Sequence, residues 1–309
     1  MNRDSAKKIY KALVRSRRFD EKVGELYTEQ EIKCPVHLSL GHEGSAAGVC
    51  AALETKDKVW AGHRCHAATV SKGAAFRPLF AELYGKATGC SRGKGGSMHF
   101  VAPEVGVMGS SAVIGASIPL ALGSALAAKI RKEDSVSVVF FGDGGVEQGT
   151  FHECMNFASL HKLQINFVLE NNDMSTATRL SLRQANHDLW KHAEQYKIPG
   201  FRVDGGEPQE VFNIAQKAVS SARSGGGPTL IEVMVERWAA HVLTNAGYKP
   251  VTGKKDPVSN FEKFAKEQGF LTEKEINEIK VSTENELTDA LIFAKESPYP
   301  IPEELNLHV

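Results

Sequence analysis

The chain has 309 residues, of which 42% are hydrophobic and 24% charged, an ordinary globular composition that excludes disorder as the default state. Its 37 basic and 37 acidic residues balance, so no overall field attracts nucleic acid or an anionic membrane. The charged N-terminus lacks a signal-peptide core, no run of about 18 apolar residues suggests a membrane helix, and the scattered cysteines suit a reducing compartment. We therefore expect a soluble, cytoplasmic protein with no nucleic-acid or membrane partner.

The first hundred residues are predicted to be mainly helical and irregular. Apolar residues recur at helical spacing over residues 5–30, which predicts an amphipathic helix packed on something larger. Residues 37–83 mix short helices with glycine-bounded turns. Residues 85–100 (GKATGCSRGKGGSMHF) contain too many glycines and serines for regular structure, so we expect a loop there.

The middle of the chain alternates helix and strand. Residues 115–132 are small, apolar and alanine-rich, which predicts a tightly packed, buried helix. The β-branched and aromatic run at 135–141 predicts a buried strand, the period of 149–162 a crossover helix, and 165–172 a second strand. Together these three elements make a βαβ unit.

The alternation continues toward the C-terminus. A helix is predicted at 207–227 and a strand at 228–235, whereas the residues after Pro257 are charged and helical with no strand candidate. The fold class is therefore α/β, a doubly wound and mostly parallel sheet with a helical C-terminal tail. We divide the chain into an α/β domain at 1–257 and a helical extension at 258–309.

Oxygen-bearing side chains follow both strands of the βαβ unit. These are Asp143 and Asn172, 29 positions apart, which suits a strand, a crossover helix and a return strand. Ligands of open α/β sheets bind beyond the carboxyl ends of the strands, where these two residues should meet. Carboxylate and amide oxygens suit Mg²⁺, which usually completes its shell with phosphates and water. The spacing therefore predicts Mg²⁺ and a phosphorylated ligand.

Glycines surround this aspartate. Gly142, Gly144 and Gly145 let the backbone approach a diphosphate closely, and the next helix aims its N-terminus at the same place. A nucleotide would suit the same physics, but Glu147 stands where a Rossmann fingerprint needs its third glycine. A Walker loop fails because GYKPVTGKK has five residues between its glycines and a lysine in the metal-binding position. A plain tight turn after the strand is the alternative for GDG alone.

Several segments resemble one family of thiamine diphosphate enzymes. GDG, with NN at the end of the next strand, is typical of such enzymes. The segments HLSLGHEG, KATGCSRGKGGSMHF, VIGASIP, FVLENN, IPGFRVDGG and GPTLIEVMVERWAAH occur in the order that the family shows. Over nearly its whole length, the chain resembles the α subunit of the decarboxylating component of 2-oxo acid dehydrogenases of the pyruvate, acetoin or branched-chain type.

The resemblance implies the thiamine diphosphate-binding fold and a set of site residues. The matched Mg²⁺ ligands are Asp143, Asn172 and the carbonyl of Met174. The residues matched to the cofactor's diphosphate are His63, Arg64, Gly142, Gly144, Gly145 and His241. Those matched to its aminopyrimidine, through their backbone, are Ala112 and Ile114. His66 matches a histidine near the substrate, so His66 and His241 are the catalytic candidates.

Two of these segments have less specific interpretations. The pattern at His63, Cys65 and His66 could hold a metal ion, although no distant partner completes such a site in the sequence. The glycine- and lysine-rich segment at 85–96 could be a surface loop or a subunit interface instead of a cofactor contact.

The resemblance also implies a reaction and a partner. In this family thiamine diphosphate supplies the carbanion chemistry that decarboxylates a 2-oxo acid such as pyruvate, and the acyl group passes to lipoamide. A separate β subunit provides the glutamate that activates the cofactor. We therefore expect an α₂β₂ heterotetramer, with a lipoyl acyltransferase as a second candidate partner.

Some positions depart from the family's pattern. Residues 239–247 are AAHVLTNAG where the family has HGHSxSDPG, so we do not expect regulation by phosphorylation there. His42, His63 and Glu147 replace a usual Gln, Tyr and Asn close to the site. These differences favour keeping two alternatives: a transketolase-like or acyloin-forming transferase with another carbonyl acceptor, and a non-catalytic interaction subunit.

Overall fold

A parallel sheet forms the centre of the computed structural model, which describes residues 1–244 and 255–307. The strands are β1 (Lys58–Ala61), β2 (Val107–Ser110), β3 (Ser137–Gly142), β4 (Ile165–Asn171), β5 (Met174–Ser175), β6 (Thr178–Arg179), β7 (Gly200–Asp204) and β8 (Thr229–Met234). Six of them pair in the order β2-β1-β3-β4-β8-β7, all parallel, while β5 and β6 form a small antiparallel hairpin. The predicted parallel α/β sheet is confirmed.

Helices cover both faces of this sheet. They are α1 (Arg3–Thr28), α2 (Glu43–Ala51), α3 (His66–Lys72), α4 (Phe76–Leu83), α5 (Ser117–Arg131), α6 (Gly149–Leu160), α7 (His192–Gln195), α8 (Pro208–Arg223), α9 (Pro257–Glu267) and α10 (Glu273–Glu296). Along β3, Val138 and Phe140 enter a core shared with α1 to α4, α8 and α10. Val139 and Phe141 enter the opposite core with α5 and α6. This alternation is what a doubly wound sheet requires.

The C-terminal helices pack against the N-terminal helix. Tyr10 and Leu13 of α1 share a buried cluster with Phe212 of α8, Phe261 of α9 and Ile276 of α10. Burying aromatic side chains of this size contributes about 2–3 kcal/mol each, so the tail is anchored to the rest of the molecule. The helical character of the tail is confirmed, and the boundary between residues 257 and 258 stays a prediction.

Most elements of the sequence prediction are present, with shifted ends. The predicted helix at 5–30 is α1, and the predicted βαβ unit is β3, α6 and β4. Strands β1, β2 and β7 were missed, because each has only four or five residues and β2 and β7 include a glycine. Residues 245–254 and 308–309, with most of GYKPVTGKK and the end of AAHVLTNAG, lie outside the described residues.

The prediction that α5 is buried is wrong for one of its faces. Leu120 is 49% exposed and Ile130 is 73% exposed, and the exposed Gly123 lies between them on the same stripe. Small apolar residues show that a face can be buried, but not whether this chain or another one covers it. Among the described helices none has the length and apolar character needed to cross a bilayer.

One buried carboxylate holds the glycine-rich loop in place. Glu82, at the end of α4, is 1% exposed and accepts four backbone N–H bonds, 2.7–3.0 Å long, from Ser91, Gly93, Gly95 and Gly96. Bonds from N–H groups to a carboxylate are among the stronger hydrogen bonds in proteins. The segment that the sequence predicts as a loop is therefore an ordered loop with a fixed path.

Replacing Glu82 with glutamine should destabilise the protein, because one acceptor oxygen becomes an NH₂ group that faces two partly buried N–H donors. We expect the free energy of unfolding to fall by about 2–4 kcal/mol. Urea denaturation measures the change, with Glu104→Gln as the control because Glu104 is exposed near the same loop. Equal stability of the two variants would contradict the anchoring role of Glu82.

Candidate functional site

A cavity of about 340 Å³ lies at the carboxyl ends of the central strands. Because β2 lies on one side of β1 and β3 on the other, the chain changes direction across the sheet here, and α/β proteins bind ligands at such a switch point. The lining combines glycines, histidines, two arginines and acidic or amide groups. It includes His37, His42, His63, Arg64, Met98, Ala112, Ile114, Gly142, Asp143, Gly144, Gly145, Glu170, Asn172, Met174, Ser175, Thr176, Arg237 and His241.

The pairing of β3 with β4 brings the predicted metal ligands together. Gly142 pairs with Glu170 in the parallel register, so Asp143 leaves the sheet beside the residues that lead to Asn172. Asp143 is 1% exposed, and the amide oxygen of Asn172 accepts the Met174 N–H at 3.1 Å. The structure therefore places the Asp143 carboxylate, the Asn172 side chain and Met174 along one edge of the cavity.

A cation partner already lies on the carboxylate. Arg183 pairs with both Asp143 and Glu147. Burial raises the pKa of Asp143, and the Arg183 guanidinium opposes that shift. Because the buried Asp143 carboxylate attracts a positive charge, the electrostatics at this edge suit a metal cation.

His42 contacts both Glu170 of β4 and Asn172, which lies just after β4. Its Nδ1 lies 3.3 Å from a carboxylate oxygen of Glu170, and its Nε2 lies 3.3 Å from the amide nitrogen of Asn172. A carboxylate can only accept, so Nδ1 donates to Glu170 and Nε2 accepts from Asn172. This orientation turns the amide oxygen of Asn172 away from His42. The unusual histidine at position 42 thus positions Asn172.

The glycine turn forms a cradle that larger residues would fill. A Cβ atom at Gly144 would lie 2.6 Å from the Ser175 hydroxyl, and one at Gly145 would lie 3.0 Å from the ring of Phe141. The helix α6 begins one turn later, so its N-terminal end follows directly on this cradle. Backbone this close to an open cavity fits a diphosphate, as the sequence predicts.

The opposite wall is basic and rich in histidine. His37, His63 and His241 contact one another edge to face, with ring centroids 4.7–5.4 Å apart. Burial lowers the pKa of His37 to about 4 and that of His63 to about 3, with Arg64 adding to both shifts. Burial, assisted by Arg237, also lowers the pKa of Arg64 to about 10. Arg64 is held by the carbonyls of Leu38 and His241.

His66 lies beneath this wall and not on it. It is 1% exposed, with Nδ1 2.6 Å from Asp20 and Nε2 2.8 Å from the Ser97 hydroxyl, and it is absent from the cavity lining. Since Asp20 only accepts, Nδ1 donates and Nε2 accepts from Ser97. The structure therefore does not bring His66 together with the other predicted site residues, and its catalytic role stays a prediction.

Every other predicted site residue lines the cavity. Sequence reasoning missed His37, Glu170 and Arg237, and also Arg183, which reaches Asp143 from a loop 40 positions further along. His37 and Glu170 stand inside the matched segments HLSLGHEG and FVLENN, which gave a signal for them. For Arg183 no motif gave a signal, because a long-range ion pair leaves no periodic pattern.

Comparison with known proteins agrees with this geometry. A sequence profile described as the dehydrogenase E1 component matches residues 11–303. The α subunit of acetoin:2,6-dichlorophenolindophenol oxidoreductase from Bacillus subtilis (strain 168) is 38% identical over 305 residues, covering 96% of this chain and 91% of that protein. Pyruvate dehydrogenase E1 component subunit alpha from Rhizobium meliloti (strain 1021) is 34% identical over 305 residues, covering 96% and 88%. A chloroplastic E1 subunit alpha-3 from Arabidopsis thaliana is 34% identical over 312 residues, covering 97% and 73%.

The chain belongs to the dehydrogenase E1 component family. The family predicted from the sequence, that of the α subunits of thiamine diphosphate-dependent 2-oxo acid dehydrogenase components, is thereby confirmed. The cavity at the switch point is therefore the candidate site of this family member.

Replacing Arg183 with glutamine should destabilise this E1 chain, because the buried Asp143 carboxylate loses its cation partner. We expect the free energy of unfolding to fall by about 2–4 kcal/mol at neutral pH. Burial already raises the pKa of Asp143 above the usual value of 3.8, and losing Arg183 raises it further. A carboxyl with a raised folded-state pKa destabilises the fold only while it is ionised, so the loss should shrink as the pH falls through that pKa.

Urea denaturation at several pH values between 5 and 8 tests this expectation. The control is Arg179→Gln, which removes an exposed arginine of β6 that is paired with Asp173 and should change the stability by less than about 0.5 kcal/mol. If the two variants matched at every pH, Arg183 would not compensate the Asp143 charge.

Proposed function

We propose that this chain is the α subunit of an E1 component that binds thiamine diphosphate through Mg²⁺ and, with a β subunit, decarboxylates a 2-oxo acid. The observation that carries the proposal is the meeting of Asp143, Asn172 and the Gly142–Gly145 turn at the ends of β3 and β4. When bound, thiamine diphosphate supplies the carbanion and the electron sink that the decarboxylation requires.

The residues at this edge suit the metal and the diphosphate. Asp143 and Asn172 would hold Mg²⁺ with their oxygens, together with the carbonyl of Met174. Mg²⁺ would replace Arg183 as the cation partner of Asp143. The glycine turn would lie against the diphosphate, whose negative charge the metal neutralises.

The basic wall would hold the outer phosphate oxygens and the substrate's carboxylate. Arg64 has a rigid fork of N–H donors, which suits phosphate and carboxylate groups. His63 and His241 stand beside it at the cavity wall, where their neutral rings can donate one N–H and accept at the other nitrogen. Ala112 and Ile114, on the segment after β2, would contact the aminopyrimidine through their backbone.

A separate β subunit completes the site in this proposal. The relatives named above are α subunits, which implies such a partner. Apolar side chains beside the cavity support it, since Val113 is 68% exposed and Ile114 both lines the cavity and is 45% exposed. Exposed apolar groups next to a site are typical of an interface. We propose an α₂β₂ assembly, with a lipoyl acyltransferase as a further partner.

A second candidate function is a reaction with another acceptor. The relative from Bacillus subtilis is named for acetoin and a dye, not for pyruvate. In this chain His63 and His42 replace the family's Tyr and Gln at the cavity, so the lining differs from the usual pattern where the substrate would bind. We therefore propose acetoin as well as pyruvate as substrates to test, and an acyloin-forming transferase as the alternative.

We propose a cytoplasmic location. All five cysteines are free, and Cys50, Cys65 and Cys154 are buried. Free thiols in this number support a reducing compartment.

The variant Asp143→Asn tests the cofactor proposal. Asparagine keeps the shape of the side chain but removes its charge, so we expect Mg²⁺-dependent binding of thiamine diphosphate to the assembled αβ complex to weaken by about 100-fold or more. Isothermal calorimetry measures the affinity, and Asp134→Asn is the control because Asp134 is exposed and distant from the cavity. Unchanged affinity in Asp143→Asn would overturn the assignment of the metal site.

Activity assays of the chain with and without its β subunit test whether the β subunit is required for catalysis. The chain alone should neither decarboxylate pyruvate nor cleave acetoin, because the two acids on the described cavity wall, Asp143 and Glu170, are paired with Arg183 and His42 and do not replace the family's β-subunit glutamate. The complex should reduce a dye with pyruvate or acetoin. Acyl transfer to lipoamide would favour the dehydrogenase, whereas formation of a new acyloin without dye or lipoamide would favour the transferase. Full activity of the isolated chain would contradict the proposal.

A further inference from the structure

Three histidines from distant parts of the chain meet at the cavity. His37 precedes α2, His63 follows β1 and His241 follows β8. One ring nitrogen from each lies within 4.8 Å of the other two. We call these residues the histidine triad. Three imidazole nitrogens that converge in this way can act together on one ligand.

One member of the histidine triad has an unsatisfied nitrogen. His37 is 8% exposed, and its Nδ1 atom is buried without a hydrogen-bond partner among the described residues. Buried polar atoms nearly always have a partner. An ion that coordinates this ring would give His37 a partner that the described residues do not supply.

The chemistry of the histidine triad selects the kind of ion. Imidazole nitrogens suit first-row transition ions such as Zn²⁺, whereas Mg²⁺ prefers oxygen ligands. The ligand form of histidine is the neutral ring, and burial keeps all three rings of this group neutral at physiological pH. Arg64 and Arg237 are positive and oppose a bare cation, so they favour an anionic oxygen as a fourth ligand.

We propose that His37, His63 and His241 form a binding site for Zn²⁺ or a similar first-row divalent ion, with the fourth position open to the cavity. Tetrahedral zinc with bonds of about 2.0–2.1 Å needs nitrogens roughly 3.4 Å apart. His241 lies in an irregular, partly exposed segment, so its side chain can rotate to close the remaining distance.

One ligand of this site departs from the family's usual pattern. His63 stands where that pattern has tyrosine, and it supplies the third nitrogen ligand. An ion bound here would occupy the wall that holds the diphosphate, and it would therefore compete with the cofactor. This consequence rests on the proposed function, whereas the metal site itself does not.

Titration of the untagged, full-length chain with Co²⁺ tests the proposal, with saturating Mg²⁺ present to occupy oxygen sites. We expect one Co²⁺ per chain, with the intense visible absorption of a four-coordinate ion, and displacement by one equivalent of Zn²⁺. His63→Tyr should weaken Co²⁺ binding by on the order of 100-fold, and His37→Gln should do the same. Far-ultraviolet circular dichroism shows whether each variant is folded.

Two control variants identify the site. His152→Gln removes a histidine outside the cavity and should leave Co²⁺ binding unchanged. Asp143→Asn should also leave it unchanged, so failure of the Mg²⁺ assignment and failure of the triad are separate results. The proposal is overturned if wild-type protein shows no four-coordinate Co²⁺ spectrum, or if folded His63→Tyr and His37→Gln bind Co²⁺ as tightly as wild type. Competition between Zn²⁺ and thiamine diphosphate, relieved by a chelator, is the expected result in the αβ complex.

Discussion

The parallel pairing of β3 with β4 is the constraint on which the site depends. Its register sends Asp143 and Asn172 out of the sheet at the same edge, and every residue of β4 is buried. Side chains on both faces fix that register, because a slip by one residue would exchange the two cores. The register of β3 and β4 is therefore set by packing in the two cores. The residues at the cavity edge of the sheet can change without altering that register.

That division explains how much of the fold the sequence could predict. Long periodic or β-branched runs identified α1, α6, β3, β4 and β8, since burial on a known face leaves a pattern. Strands β1, β2 and β7 leave almost none, because four or five residues are too few to show a period. The exposed face of α5 was predicted to be buried because its residues are small and apolar. Composition shows that a helix face is apolar, but it does not show which chain covers that face.

The site was predictable where its residues follow strand ends or stand in family motifs. Asp143 and Asn172 came from spacing alone, and Arg64, His63 and His241 came from the resemblance. Arg183 could not be found in either way, because it reaches the carboxylate from a loop that has no motif of its own. His42 was visible only as a departure. In the structure its ring joins Glu170 to Asn172 and so keeps the amide oxygen of Asn172 available.

The exposed stripe of Leu120, Gly123 and Ile130 on α5 has a consequence for how cells make this protein. A helix with such a stripe exposes apolar surface until another chain covers it. Free copies would therefore associate with one another or with chaperones. Synthesis in excess over whatever covers α5 would then lower the yield of usable protein. Overproduction of the chain by itself should therefore lower the fraction recovered in soluble form, and balanced co-expression should raise that fraction.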